Sequence, residues 1–441
     1  MQDERMKSTG HSGAAASRAE FTSTAALRQT MAAYYHGLGE AAERKTAPVA
    51  WCSSVGPAEL LRALGFVVHF PENHAAMLGA ARTANRYLPL AHAQGYSQDI
   101  CSYLTSDIGA YLAGETPLTA FGLKSTPRAD VLVFNTNQCR DVRDWFEWYG
   151  RMWGVPVIGI SSPRSIGDVV DDDVDAVARQ IESLVPALEQ AAGTRLDDAR
   201  LKAAFDASRE CSRLWQACLN TAAHRPAPFT FFDATIHMGP AVVLRGASEA
   251  PAYYEILLKE LEQRVLDGVA AVPGESLRLY WDGMPIWGRL RALSTTFAEF
   301  RTAVVASTYC NSWVLAGLDS ADPFRSIARA SLELFIARSE EPKERYIERM
   351  VERYDVDGVI FHDCRTCPNN SNARYGMPQR LSERLGIPTL VLDGDVNDLR
   401  CFSDEQARTN IEGFVEQLAD ARAAGPRSAG SRAAGSGAAR Q

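Results

Sequence analysis

The sequence predicts an α/β protein with two open, mostly parallel sheets. Eight short apolar, β-branched runs are separated by helical stretches, an alternation that favours parallel strands joined by right-handed crossovers. The rhythm occurs twice, with a charged, mainly helical stretch between its halves. A length of 441 residues suits two or three domains, and a hydrophobic content of 46% can fill two cores.

Taken in order, residues 1–20 are small and polar and are expected to be disordered. Residues 21–165 form an N-terminal helix plus a first α/β domain. The helix is expected from Ala25 to Lys45. It contains Gly37-Leu-Gly39-Glu-Ala-Ala42, a match to the dinucleotide fingerprint, which is rejected because it sits late in a helix instead of following a strand. The first four strands are “PVAWCSS” (48–54), “FVVHF” (66–70), “ADVLVFNT” (129–136) and “VPVIGISS” (155–162). “GPAELLRALG” reads as a helix closed by Gly65, and “PENHAAMLGAARTANRY” as one opened by Pro71 and Glu72. Residues 166–245 read as a helical connector and 246–423 as a second α/β domain. Its strands are “SLRLYWDG” (276–283), “TAVVAST” (302–308), “DGVIFHD” (357–363) and “IPTLVLDGD” (387–395), with “NARYGMPQRLSERLG” as a helix between the last two. Residues 424–441, rich in Gly, Ala and Ser, are expected to be a disordered tail. Each half therefore has the pattern of a Rossmann-like (flavodoxin-like) sheet domain.

Composition narrows the function. A net charge of −8 without a basic block argues against a nucleic-acid partner. No apolar run approaches the ~20 residues that span a bilayer, and the N-terminus lacks a signal-peptide core, so no membrane association and a cytoplasmic location are expected. Nine cysteines in such a chain read as core filler, metal ligands or catalytic thiols instead of a disulfide framework.

Open α/β sheets bind ligands beyond the carboxyl ends of their strands. That rule selects Cys52 after the first strand, Cys139 after “VLVFNTNQ”, and Cys364 and Cys367 after “GVIF”; Cys101 opens a helix in “SQDICSYLTSDIG”. A zinc site would want a second close pair, and neither another C-x-x-C nor H-x₃₋₅-H follows. A redox pair would want a helix N-terminus, whereas Pro368 and Asn369-Asn370 indicate a loop. Cys211, Cys218 and Cys310 read as small buried residues, and Cys401 as structural. An iron–sulfur cluster can draw thiolates from separate loops, and three of them would leave one iron open to a substrate oxygen. On the residues alone these alternatives stand side by side.

Several segments, in order, resemble one family. “CSYLTSDIGAYL”, “NTNQCRDVRDWFEWYG”, “DGVIFHDCRTC” and “GIPTLVLDGDVND…FSDEQARTNIEGFVEQL” are similar to the 2-hydroxyacyl-CoA dehydratase / benzoyl-CoA reductase family, in a subunit like the dehydratase D-component. The resemblance runs from about residue 48 to 420. It implies an oxygen-sensitive enzyme of two homologous, non-identical subunits, a [4Fe-4S] cluster on three cysteines, an acyl-CoA substrate, and a separate ATP-dependent iron–sulfur activator protein. Carried over, the ligands are Cys101, Cys139 and Cys367, with Cys364 as the alternate third. Ser54 and Glu72 correspond to active-site positions; as isolated residues they equally suit a turn or cap and a helix N-terminus. No G-x-x-x-x-G-K-[ST] occurs, which agrees with ATP being handled by the activator.

The implied reaction is radical elimination of water. An electron added to the thioester gives a ketyl radical, which expels the 2-hydroxyl; a deprotonation follows and the electron is returned. Ring reduction of an aromatic acyl-CoA is the alternative, and the stretch from “HFPENH” at His69 leans toward the benzoyl-CoA reductase-type subunits. A double-cubane reductase or a non-catalytic scaffold is a further alternative.

Overall fold

The eight apolar runs become eight strands in the computed structural model, which describes residues 20–315 and 317–423. The disorder expected at 424–441, and at 1–20 apart from Glu20, lies outside the described residues. Strands β1 (Val49–Cys52), β2 (Val67–His69), β3 (Val131–Asn135) and β4 (Val157–Ile160) form one sheet in the order β2-β1-β3-β4. Strands β5 (Leu277–Asp282), β6 (Thr302–Ser307), β7 (Gly358–Cys364) and β8 (Thr389–Gly394) form a second sheet in the order β6-β5-β7-β8. Every pairing is parallel, with registers such as Cys52 opposite Val133 and Asp282 opposite Phe361. Strands β1, β3, β5 and β6 are buried along their whole length, which is why they read as unbroken apolar runs without alternation.

The two orders share a logic. Each chain half starts at a central strand, steps to one edge, then crosses to the other side. The reversal falls between β1 and β3 in one sheet and between β5 and β7 in the other, the crevices where open α/β sheets bind ligands.

The helix Thr24–Arg44 buries Leu27, Tyr34, Tyr35, Leu38 and Ala41, a stripe at helical spacing, and carries the rejected Gly37–Ala42 match in its interior. The Tyr34 hydroxyl donates to the Val68 carbonyl at 2.8 Å. Just before the helix, the Thr22 and Ser23 backbone N–H groups donate to Glu260 at 2.8 and 2.7 Å. Glu260 lies on the helix Glu249–Leu266, which packs along the 23-residue helix Asp198–Asn220. Between residues 166 and 245 the chain is helical, with no strand among the described residues. Arg245, at the end of that stretch, is buried against Glu59 (3.1 and 3.2 Å) and donates to the Ser54 carbonyl at 2.7 Å.

One boundary moves. The helix expected across “NARYGMPQRLSERLG” begins only at Met377, because Gly376 takes a left-handed φ of 78° and Asn372–Tyr375 forms a separate 3-10 turn. Among the described residues no helix is long and apolar enough to cross a membrane.

Candidate functional site: three thiols and a buried carboxylate on one cavity

The carboxyl ends of both sheets face one cavity of about 350 Å³, within the range of small-molecule sites. Ser54 follows β1, Cys139 follows β3, Met284 follows β5, Tyr309 follows β6 and Cys367 follows β7; all line it. Glu72 reaches it from the first turn of the helix Pro71–Ala80, directly after β2. Cys101 sits at the N-terminal cap position of the helix Ser102–Ala113. The structure thus brings Ser54, Glu72, Cys101, Cys139 and Cys367 to a single cavity. Cys364 is not among its lining residues. It ends β7, is fully buried, and its Sγ points to Asp395 at 3.6 Å.

The three cysteine loops are laced in pairs. The Cys101 backbone N–H donates to Asp141 Oδ2 at 3.3 Å, two residues past Cys139. Asn369 Nδ2, two residues past Cys367, donates to the Gln138 carbonyl at 3.1 Å. The third bridge is Asp395, fully buried after β8. It accepts Ser102 Oγ (2.5 Å) from one loop, and Thr366 N (2.9 Å) and Oγ1 (2.6 Å) from the other. Ser102 N also donates to Thr366 Oγ1 at 3.1 Å. Segments from the two halves of the chain are therefore held together by a carboxylate in the turn after β8.

Burial dominates the electrostatics. It pushes the Cys101 thiol well above its ordinary range, and the nearby Cys139 and Cys367 sulfurs add to the rise. Burial, then Asp141 and Cys367, raises Cys139 to about 12. Cys367 is raised to about 11 by burial, with a backbone N–H at Asn370 opposing. Each thiol is therefore protonated near neutrality unless a soft cation takes the proton's place. Glu72 is raised to about 7 by burial, against the opposing hydrogen bond from the Ser54 backbone N–H (2.9 Å to Oε1).

Four buried polar atoms on the cavity's lining residues have no partner among the described residues: Glu72 Oε2, Gln138 Nε2, Trp313 Nε1 and Asn370 Oδ1. Such atoms are costly unless a ligand completes them. Among the described residues no three His, Cys, Asp or Glu side chains converge to hold a single metal ion. The three thiols instead rim a shared space, with no imidazole among its lining residues. That donor chemistry fits a soft, multinuclear iron–sulfur group gripped at separate corners better than it fits one hard cation.

Cys211, Cys218 and Cys310 are buried in the cores, and all nine cysteines are free. Sequence reasoning passed over Tyr103, Trp287, Tyr309 and Trp313, which also line the cavity. Trp287 Nε1 donates to the Tyr103 hydroxyl, and the Trp287 and Tyr309 rings meet edge to face at 6.1 Å. A signal was present for two of them: “TYCNSW” begins where β6 ends, at a carboxyl edge.

Comparison with known proteins identifies the family. Residues 53–418 match the family described as 2-hydroxyglutaryl-CoA dehydratase, D-component. The (R)-phenyllactyl-CoA dehydratase alpha subunit of Clostridium sporogenes is 28% identical over 392 residues, covering 87% of this chain and 92% of the relative. The (R)-2-hydroxyisocaproyl-CoA dehydratase alpha subunit of Clostridioides difficile is 28% identical, covering 86% and 92%. A benzoyl-CoA reductase subunit of Thauera aromatica is 26% identical, covering 83% and 87%. The match takes in every strand after β1 and every cavity residue from Ser54 onward, and the chain therefore belongs to the 2-hydroxyglutaryl-CoA dehydratase D-component family.

Proposed function

We propose that this chain is the iron–sulfur subunit of a 2-hydroxyacyl-CoA dehydratase, working with a homologous second subunit and an ATP-dependent activator protein. The observation that carries this is the convergence of Cys101, Cys139 and Cys367, from three loops and both sheets, on a cavity that also holds a buried carboxylate. These three thiols hold the [4Fe-4S] cluster; Cys364, turned toward Asp395, is not a ligand. Once bound, the cluster supplies a low-potential electron and a Lewis-acidic iron for the thioester.

The chain's own residues do the rest. Apolar walls around the cavity, among them Leu27, Met77 and Phe121, exclude water from the reacting thioester. Glu72 moves a proton through Oε2, which has no partner among the described residues, and its pKa of about 7 lets it give or take one at working pH. Ser54 positions it through Oε1. Gln138 Nε2 and Trp313 Nε1 offer donors to the substrate's oxygens.

The test is anaerobic expression with the partner subunit, followed by iron and sulfide analysis. Cys139→Ala is expected to lose the cluster signal, while Cys211→Ala and Cys364→Ala keep it. Equal signals in the Cys139 and Cys211 variants would overturn the ligand assignment, and an iron-free wild type would leave a scaffold role. The similarity to a benzoyl-CoA reductase supports a second reading, ring reduction. Incubating the activated complex with a 2-hydroxyacyl-CoA and benzoyl-CoA in parallel separates the two: enoyl-CoA supports dehydration, a dienoyl-CoA supports reduction.

A further inference from the structure

The family's name specifies a dicarboxylic acyl group, while the relatives are named for phenyl-bearing, branched-alkyl and aromatic ones at nearly equal identity. Overall similarity therefore does not choose the acyl group, but the wall of the cavity does. No Lys, Arg or His is among its described lining residues; its charged groups are both acids, Glu72 and Asp141. The helix Thr24–Arg44 presents Leu27, Met31 and Tyr35, and Tyr35 stacks on Phe121 with centroids 4.4 Å apart. Met238 and Val242 continue this apolar wall. Thioethers and aromatic rings suit a ring or a branched chain. A carboxylate at the far end of the acyl chain would be buried against this wall with no cation to pair it.

The neutral donors do not offset this. Gln138 adjoins Cys139, and Trp313 lies one turn from Tyr309, which faces Cys367 and Glu72. Gln138 therefore belongs to the thiol side of the cavity, where the thioester and hydroxyl oxygens would lie, and a single neutral N–H from Trp313 does not balance a buried carboxylate's charge.

We propose that this chamber selects an uncharged, apolar acyl group, aromatic or branched, and rejects an acyl chain that ends in a carboxylate. The proposal rests on the acyl-CoA reading above and holds for dehydration and ring reduction alike. It is tested by binding, without activator, so that no turnover intervenes. The iron-loaded complex with its partner subunit is titrated anaerobically with 2-hydroxy-3-phenylpropanoyl-CoA, 2-hydroxy-4-methylpentanoyl-CoA and 2-hydroxyglutaryl-CoA. The two apolar thioesters are expected to bind ~100-fold more tightly than the dicarboxylic one. Binding of 2-hydroxyglutaryl-CoA within about threefold of the others overturns the proposal. Failure of all three to bind is a different result, since it overturns the acyl-CoA reading itself. Met31→Lys and Ile236→Lys each place a cation on the wall; Ile236 is 59% exposed, so its replacement spares the core. Each is expected to narrow the ratio ~10-fold by improving the dicarboxylic ligand. An unchanged ratio in both, with the apolar thioesters still bound, overturns the placement of the acyl group against this wall.

Discussion

Glu72 is held by opposing influences, and its ionisation is a measurable property of the site. Burial disfavours its charge and raises it to about 7, while the Ser54 N–H favours the charge. Because the folded pKa lies above the unfolded one, the folded chain keeps a proton that the unfolded chain releases. In the metal-free protein this contribution to stability is full below the ordinary carboxylate range and is lost as pH rises through about 7. Glu72→Gln is expected to flatten that part of the curve, read as the urea midpoint at pH 5 and pH 8. An equally steep fall in the variant would assign the pH dependence elsewhere. In the loaded enzyme the same change is expected to lower turnover about 10²–10⁴-fold. The family resemblance picked out the five cavity residues; the strand-end rule alone reaches Cys139 and Cys367 but equally selects Cys52 and Cys364, which do not line the cavity. Asp395 was not legible, since an acid in “DGDVND” reads as an ordinary turn residue and its partners lie about 30 and nearly 300 positions away.

At the scale of elements, the strands were legible and the lacing between loops was not. Parallel strands buried on both faces show themselves as β-branched runs, whatever surrounds them. Strand order, and the convergence of loops from two sheets, depend on long-range contacts that no local pattern records. The cost of losing one such contact can be stated. Asp395→Ala leaves the Ser102 hydroxyl and the Thr366 N–H without their acceptor in a buried place, a loss of about 3 kcal/mol or more. The expected result is that Cys101 and Cys367 are alkylated faster in the metal-free protein, and that the iron-loaded protein loses iron faster to a chelator. Asp395→Asn keeps one acceptor oxygen and is expected to fall between wild type and Ala. Wild-type alkylation rates in both variants would show that the other two bridges suffice.

For the whole molecule, the N-terminal helix joins parts that the chain order separates. It touches the first sheet through Tyr34, lines the cavity through Leu27, Met31 and Tyr35, and is anchored at its start by Glu260. Glu260→Ala removes the acceptor of two backbone N–H groups, a local loss of about 1–2 kcal/mol. Amide hydrogen exchange in the first turns of that helix is expected to rise about tenfold, with affinity for apolar thioesters falling in step. Exchange that rises while affinity holds would show that the wall does not depend on the anchor. The three cavity thiols belong to positions 101, 139 and 367, and the clasp that aligns two of their loops comes later still, at 395. A ribosome must therefore release the chain past position 367 before the third sulfur meets the first two. Until then a nascent chain has only part of the proposed ligand set, so on that proposal delivery of iron and sulfide waits for the loop at 367 and its clasp at 395.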